Sequence, residues 1–314
     1  MTTRKILTIF LLFSVVLTVS GQDVWYGSTA GLKSVFNPAF SGVTGRNEVR
    51  ISEYSFLPGG GYGLNTFTLV SDNYVPYLHG GISAWIIDDL TGSIADDIRS
   101  GVSWSYHFRA GDRVYATAGL TASVIHFGIN RSKVIFPDDI DPFTGQVSSA
   151  GEDVSAAGFT RFDASAGFTV SGSKWYGGFA VSHLTMPYLS AGREGESRLP
   201  RKIVADAGAS FSHGENGAVV QPSLTVLLQG NSLAGNTGIT LSRGELTGGI
   251  SMWMVKNGFA AIQPSAGWTT QMVSVGLSYS YNIGSGRLNL PETALVRASV
   301  TIFLGNVEKR KPLH

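Results

Sequence analysis

Asp138, Asp139 and Asp141 form the tightest group of carboxylates in the chain, and Glu152 and Asp153 follow in the same stretch. Clustered carboxylates are the donor set of a calcium site. The spacing lacks the glycine and closing glutamate of a Ca²⁺-binding loop, so an acidic solvated loop is the better reading and no metal is assigned. Its charge can still orient a partner or disfavour anions. His107, Arg109 and Asp163 are the next group with acid–base potential, with His126 near a strand end. No Ser–His–Asp or Cys–His motif accompanies them, so there is no nucleophile and no catalytic residue to name. Gly59-Gly60-Gly61 lacks the lysine and the strand–helix setting of a phosphate loop and reads as a hairpin turn, so no cofactor is implied. The absence of cysteine removes thiolate chemistry and disulfides together. The chain reads as a non-enzyme.

The elements that position these residues are strands. At 162–171, Phe162, Ala164, Ala166, Phe168 and Val170 share one face, opposite Asp163, Ser165, Gly167, Thr169 and Ser171. Val102, Trp104, Tyr106 and Phe108 oppose Ser103, Ser105, His107 and Arg109. The same alternation runs through 218–228, where Leu224 opposes Thr225, and through 273–281, where Val273, Val275, Leu277, Tyr279 and Tyr281 oppose Ser274, Gly276, Ser278 and Ser280. A period of two places successive side chains on opposite sides of a strand. Gly, Asn, Asp and Ser punctuation delimits fourteen such segments, near 47–57, 62–72, 79–88, 99–109, 113–127, 159–171, 174–185, 202–213, 217–229, 235–242, 246–256, 259–269, 272–283 and 293–303. Pro222 and Pro264 fall inside two of them, where local bulges or shifted boundaries are expected.

Charged residues are only 14% of the chain, against 40 glycines and 11% aromatics. Ordinary globular domains carry about 25% charge. A wall with an apolar outer face and a Ser/Thr/Gly inner face explains the deficit. Arg4 and Lys5 precede an apolar run of 14 residues, Ile6 to Val19, with Val19-Ser20-Gly21 at a cleavage point. A membrane-crossing helix needs roughly 20 apolar residues, so the run reads as a removable signal peptide. Without Arg4 and Lys5 the remaining chain carries 21 basic and 22 acidic side chains, and that balance argues against nucleic acid as a partner.

Together these features predict an all-β protein, a closed antiparallel transmembrane barrel of the outer-membrane type, because an open edge in lipid would strand backbone donors and acceptors. Expected boundaries are 1–21 for the signal peptide, 22–46 for a periplasmic or plug-like segment, 47–304 for the barrel and 305–314 for a basic periplasmic tail. Connection 128–158 is expected outside the cell, and turns 110–112 and 172–173 on different sides of the membrane. Trp85, Tyr106, Tyr115, Trp175, Tyr176, Trp253, Trp268, Tyr279 and Tyr281 are expected in aromatic girdles at the lipid headgroups. His107, Arg109 and Asp163 fall on the lumenal face.

Several segments, in order, resemble the PorP/SprF-like outer-membrane proteins of the Bacteroidetes type IX secretion and gliding-motility system. Asn37-Pro38-Ala39-Phe40-Ser41-Gly42 is similar to that family's N-terminal signature. Gly81-Ile82-Ser83-Ala84 with Asp88-Asp89-Leu90-Thr91-Gly92 resembles its Asp-ending hairpin, and Gly101 to Phe108 its Ser/Tyr-rich strand. Phe136 to Pro142 resembles its acidic Asp-Pro loop, and Val275 to Asn282 its penultimate strand. Two features depart from the pattern: Ser28-Thr29-Ala30-Gly31 replaces a more aromatic lead-in, and Leu304 to His314 extend past the terminal aromatic Phe303. The resemblance implies an outer-membrane component that binds type IX machinery or a large exported surface protein, and no catalysis. Candidate partner-binding residues are Asn37, Pro38, Ala39, Phe40 and Gly42, then Asp138, Asp139 and Asp141, then Lys309, Arg310 and Lys311. Pro38 fixes its own φ and biases Asn37 toward extended geometry, which leaves a docking or plug role and a simple lead-in both open. The alternative function is a channel for small or apolar solutes through the Ser/Thr/Gly-rich bore.

Overall fold

The computed structural model describes residues 31–57, 63–92, 95–129, 158–189, 198–212, 217–256, 260–283 and 294–305, with isolated positions 140, 144 and 146. Fourteen antiparallel strands follow the alternating segments: β1 Asn47–Leu57, β2 Leu64–Val75, β3 Gly80–Thr91, β4 Ala95–Gly111, β5 Val114–Ile129, β6 Phe159–Ser171 and β7 Trp175–Ser182. β8 runs as Lys202–Ala209 and resumes as Phe211–Ser212. Then come β9 Val219–Gln229, β10 Ser232–Arg243, β11 Leu246–Val255, β12 Ala260–Thr269, β13 Val273–Asn282 and β14 Ala294–Leu304. Each strand pairs with its sequence neighbours, and β1 pairs with β14 from Asn47↔Leu304 to Leu57↔Ala294, which closes the barrel. Closure removes the edges that lipid could not satisfy. Among the described residues no helix is long and apolar enough to cross a membrane.

The faces follow the alternation. Phe162 is 60% exposed on the outer wall, whereas its neighbour Asp163 is 2% exposed inside. Leu224 is 49% exposed and Thr225 6%. Trp104, Tyr106, Leu277, Tyr279 and Tyr281 face outward, while Ser103, Ser105, Ser278 and Ser280 are buried within.

Three expectations need correction. Both prolines sit in register-true strands rather than at bulges. Pairing between β8 and β9 skips the positions beside Pro222, from Ser223↔Gly208 to Val220↔Phe211, and keeps its register. Between β12 and β13 it likewise skips Pro264, from Ile262↔Tyr281 to Ser265↔Ser278. A missing N–H costs local ladder bonds, and the neighbouring pairs hold the strand in place. The register shift recorded in the barrel lies between Arg109 and Gly111, at a strand end. Secondly, turns 110–112 and 172–173 lie at the same end, because two further antiparallel strands separate them and Tyr115 pairs with both Arg109 and Ser171. Thirdly, Trp85 and Trp253 are buried inside the barrel, and Tyr176 hydrogen-bonds an interior lysine. Trp85 shares the inward phase of Ser83, and its ring lies over Gly101, the residue opposite it on β4.

The end that carries Asn47 and Leu304 also carries the compact connections 76–79, 112–113, 172–174, 244–245 and 270–272. The strand ends that bound the two longest connections, Ile129 with Phe159 and Ser182 with Lys202, lie at the other end.

Candidate functional site in the barrel lumen

Residues 31–45 lie against the inner wall. A single helical turn, α1 (Lys33–Phe36), leads through Asn37 into a 3-10 turn at Pro38–Phe40. The local chemistry explains the sequence. Asn37 is extended, with φ −142° and ψ 106°, and its side chain accepts a hydrogen bond from the Ala39 N–H at 3.0 Å. Pro38 at the first position of the turn contributes a fixed φ where its missing N–H costs nothing.

The wall is shaped to receive this turn. Gly81, Ser105, Gly119 and Gly167 are successive cross-strand partners on β3, β4, β5 and β6, and form a row of minimal side chains. A Cβ on Gly119 would sit 2.4 Å from the Pro38 carbonyl carbon, and one on Gly167 would sit 2.1 Å from Asn37 Oδ1. Only glycine admits the segment so close. Polar contacts then fix its register. Asp72 Oδ1 accepts from the Gly42 N–H at 2.7 Å, Ser105 Oγ donates to the Ser41 carbonyl at 2.7 Å, and His107 Nε2 lies 3.3 Å from the same oxygen. Ser83 Oγ donates to Ser34 Oγ at 3.1 Å, and Asn37 Nδ2 reaches Asp206 Oδ2 at 3.4 Å.

Apolar side chains complete the packing. Leu32 and Phe36 join Tyr54, Val70, Trp85, Ile87, Val204, Leu227 and Leu295 in one buried cluster inside the barrel. These residues come from β1, β2, β3, β8, β9 and β14, so the cluster spans the bore. On the side facing the compact-turn end, a cavity of about 580 Å³ remains between the segment and the β9–β10 wall. Lys33 projects there, with its Nζ 3.0 Å from Tyr176 Oη and 4.3 Å from the centre of the Tyr176 ring.

The expected site residues separate into groups. Asn37, Pro38, Ala39, Phe40 and Gly42 are all buried in the lumen, beside His107. Asp163 lies elsewhere on the inner wall. It accepts from His183 Nδ1 at 2.6 Å and from Thr185 Oγ1 at 2.9 Å, which ties the chain after β7 back onto β6. Arg109 sits at the exposed end of β4 and pairs with Asp112 at 2.9 Å in the adjoining turn. Asp138, Asp139, Asp141, Lys309, Arg310 and Lys311 lie outside the described residues. Among the described residues no group of His, Cys, Asp and Glu could hold a metal ion. Sequence reasoning missed Asp72, Lys33 and the Gly81–Gly119–Gly167 row. The glycines repeat at inward phases of their strands, a signal that was available but that turn punctuation obscured.

A closed antiparallel barrel with an apolar outer wall and a polar, occupied lumen is an integral outer-membrane protein. Residues 20–294 match the model of the family described as type IX secretion system membrane protein PorP/SprF, and the chain belongs to that family. It is therefore a non-enzymatic outer-membrane barrel associated with components of that secretion system. No curated protein matches the sequence. Among solved structures, the Ralstonia pickettii toluene transporter TbuX is 8% identical with a TM-score of 0.53, covering 87% of this chain and 93% of that one. A Pseudomonas putida toluene transporter, TodX, is 10% identical with a TM-score of 0.50, covering 84% and 91% respectively. At such identities the likeness concerns the barrel fold alone.

Proposed function

We propose that this barrel works by binding protein partners, either type IX machinery or a large exported surface protein, and not by conducting solutes. The observation that carries the reading is the occupied bore: residues 31–45 pack against the inner wall, and a buried apolar cluster joins them to six strands. A solute channel needs a continuous wet path, and an apolar cross-section opposes one. Residues 22–46 then act as a lumenal segment, preceded by a signal peptide over 1–21 and followed by the barrel over 47–304. The compact-turn end faces the periplasm, as short turns do in outer-membrane barrels, together with the basic tail 305–314. The acidic stretch with Asp138, Asp139 and Asp141 then faces the cell exterior, where it orients partners by charge.

Crosslinking in native outer membranes followed by affinity purification tests this. Recovery of a large exported protein or a periplasmic machinery component is the expected result. Recovery of neither, at native expression, removes the reading.

A further inference from the structure

Two sides of the lumen differ in how their polar groups are used. On the β2–β4 side, Asp72, Ser105 and His107 are spent on the backbone of residues 41 and 42. On the β9–β10 side, Gln221, Ser223, Thr240 and Asn236 line the cavity, and among the described residues their side chains make no hydrogen bond. Asn236 is the telling case. It is 5% exposed, and its Nδ2 is buried without a partner. An unpaired buried amide is costly, and a ligand that pairs it recovers that cost.

The spacing identifies the ligand class. Gln221 pairs with Thr240, Ser223 with Gly238 and Thr225 with Asn236, so the strip is two strands wide. Inward positions repeat every second residue, at about 6.8 Å along a strand. An extended peptide beside the strip presents N–H and C=O groups on one edge at the same repeat. Side-chain amides carry both donors and acceptors, so Gln221 and Asn236 can meet either group. A stacking glycan would want a bare aromatic face, and the Phe36, Phe40 and Tyr176 rings at the cavity are already engaged. Lys33 lies over the Tyr176 ring, Lys202 lies over the Phe36 ring, and Phe40 packs edge-on against Tyr176. The strip itself is uncharged, while Lys33, Glu48, Arg50, Asp72, Lys174 and Asp206 line the rest of the cavity, so backbone recognition is the chemistry of the strip alone.

We infer that the β9–β10 wall of the lumen is a docking strip for an extended segment of a partner polypeptide, which enters from the compact-turn end. The inference rests on the protein-binding reading and names the site through which that binding occurs.

The chain has no cysteine, so Ser223→Cys supplies a single thiol in the cavity. The purified barrel in detergent is treated with a maleimide in the presence of the peptide acetyl-Thr-Val-Thr-Val-Thr-amide. Met272→Cys, at an exposed turn, is the control. Heat-modifiable gel mobility verifies that each variant is folded. Millimolar peptide is expected to slow labelling at position 223 at least tenfold and saturably, and to leave position 272 unchanged. Asn236→Ala, combined with Ser223→Cys, is expected to raise the peptide concentration needed by about tenfold. Equal protection by the peptide N-methylated at alternate amides would overturn backbone recognition. Protection by maltohexaose in place of the peptide would reassign the strip to glycans. If peptide fails to protect while native-membrane crosslinking still recovers a partner, the docking strip is wrong and the protein-binding reading survives.

Discussion

The inner walls of β3–β6 and of β9–β10 have the same backbone and opposite occupancy. The first is a row of glycine and serine pressed against Asn37, Pro38 and Ser41, with Cβ clearance below contact distance. The second presents Gln221, Ser223, Asn236 and Thr240 to the lumenal cavity. One wall carries small residues that admit a segment of its own chain, and the other keeps unspent hydrogen-bonding groups. Polarity alone therefore does not define a bore; what matters is which inward groups already have partners.

The largest effect expected from breaking this contrast is at Gly119. Gly119→Phe drives a ring into the Pro38 backbone, where Thr240→Phe enters open space. Displacing the segment returns Leu32, Phe36 and Phe40 to water at about 1.5–3 kcal/mol each. Limited proteolysis in detergent should cut residues 31–46 in G119F and spare them in T240F. Equal resistance in both would mean that the glycine row does not hold the segment.

Leu224 and Thr225 sharpen the comparison across the thickness of the open wall. Leu224→Arg should destabilise the inserted barrel by roughly 2–4 kcal/mol if position 224 lies near the midplane. Thr225→Arg should cost less, because its side chain enters the cavity. Urea unfolding from lipid vesicles measures both, and the reverse order would place the register off by one.

Asp72→Ala removes the acceptor for the Gly42 N–H. The orphaned donor should cost about 1–3 kcal/mol, read as faster amide hydrogen exchange at residue 42 with the barrel strands unchanged. The smallest effect is expected at the tail. Truncation after Asn306 removes Lys309, Arg310 and Lys311 and should leave insertion intact, checked by heat-modifiable mobility. Loss of the folded barrel would show that the tail belongs to the wall.

The barrel was legible because period-two alternation is written directly into segments such as 162–171 and 273–281. Its interior was less so. Around Trp85 both faces of β3 are apolar, Ala84 and Ile86 outward and Trp85 and Ile87 inward, so period alone could not phase the tryptophan. The shared end of turns 110–112 and 172–173 follows from counting strands, since two antiparallel crossings return the chain to the same side. Pro222 looked like a bulge, because a sequence shows the missing donor but not the neighbouring pairs that hold register. The Asp163–His183 contact joins residues 20 apart through a chain reversal at His183, whose φ is 59°. Asn37-Pro38-Ala39 stood out as a motif, yet its place in the lumen depends on glycines on β5 and β6, which no local pattern connects to it.

Conductance in planar bilayers tests the central claim most directly, with the mature chain compared against a version lacking residues 31–46. The occupied lumen predicts no stable conductance from the intact chain and persistent openings once the segment is removed. Stable, stepwise conductance from the intact chain would contradict a closed bore and return the protein to the class of solute channels.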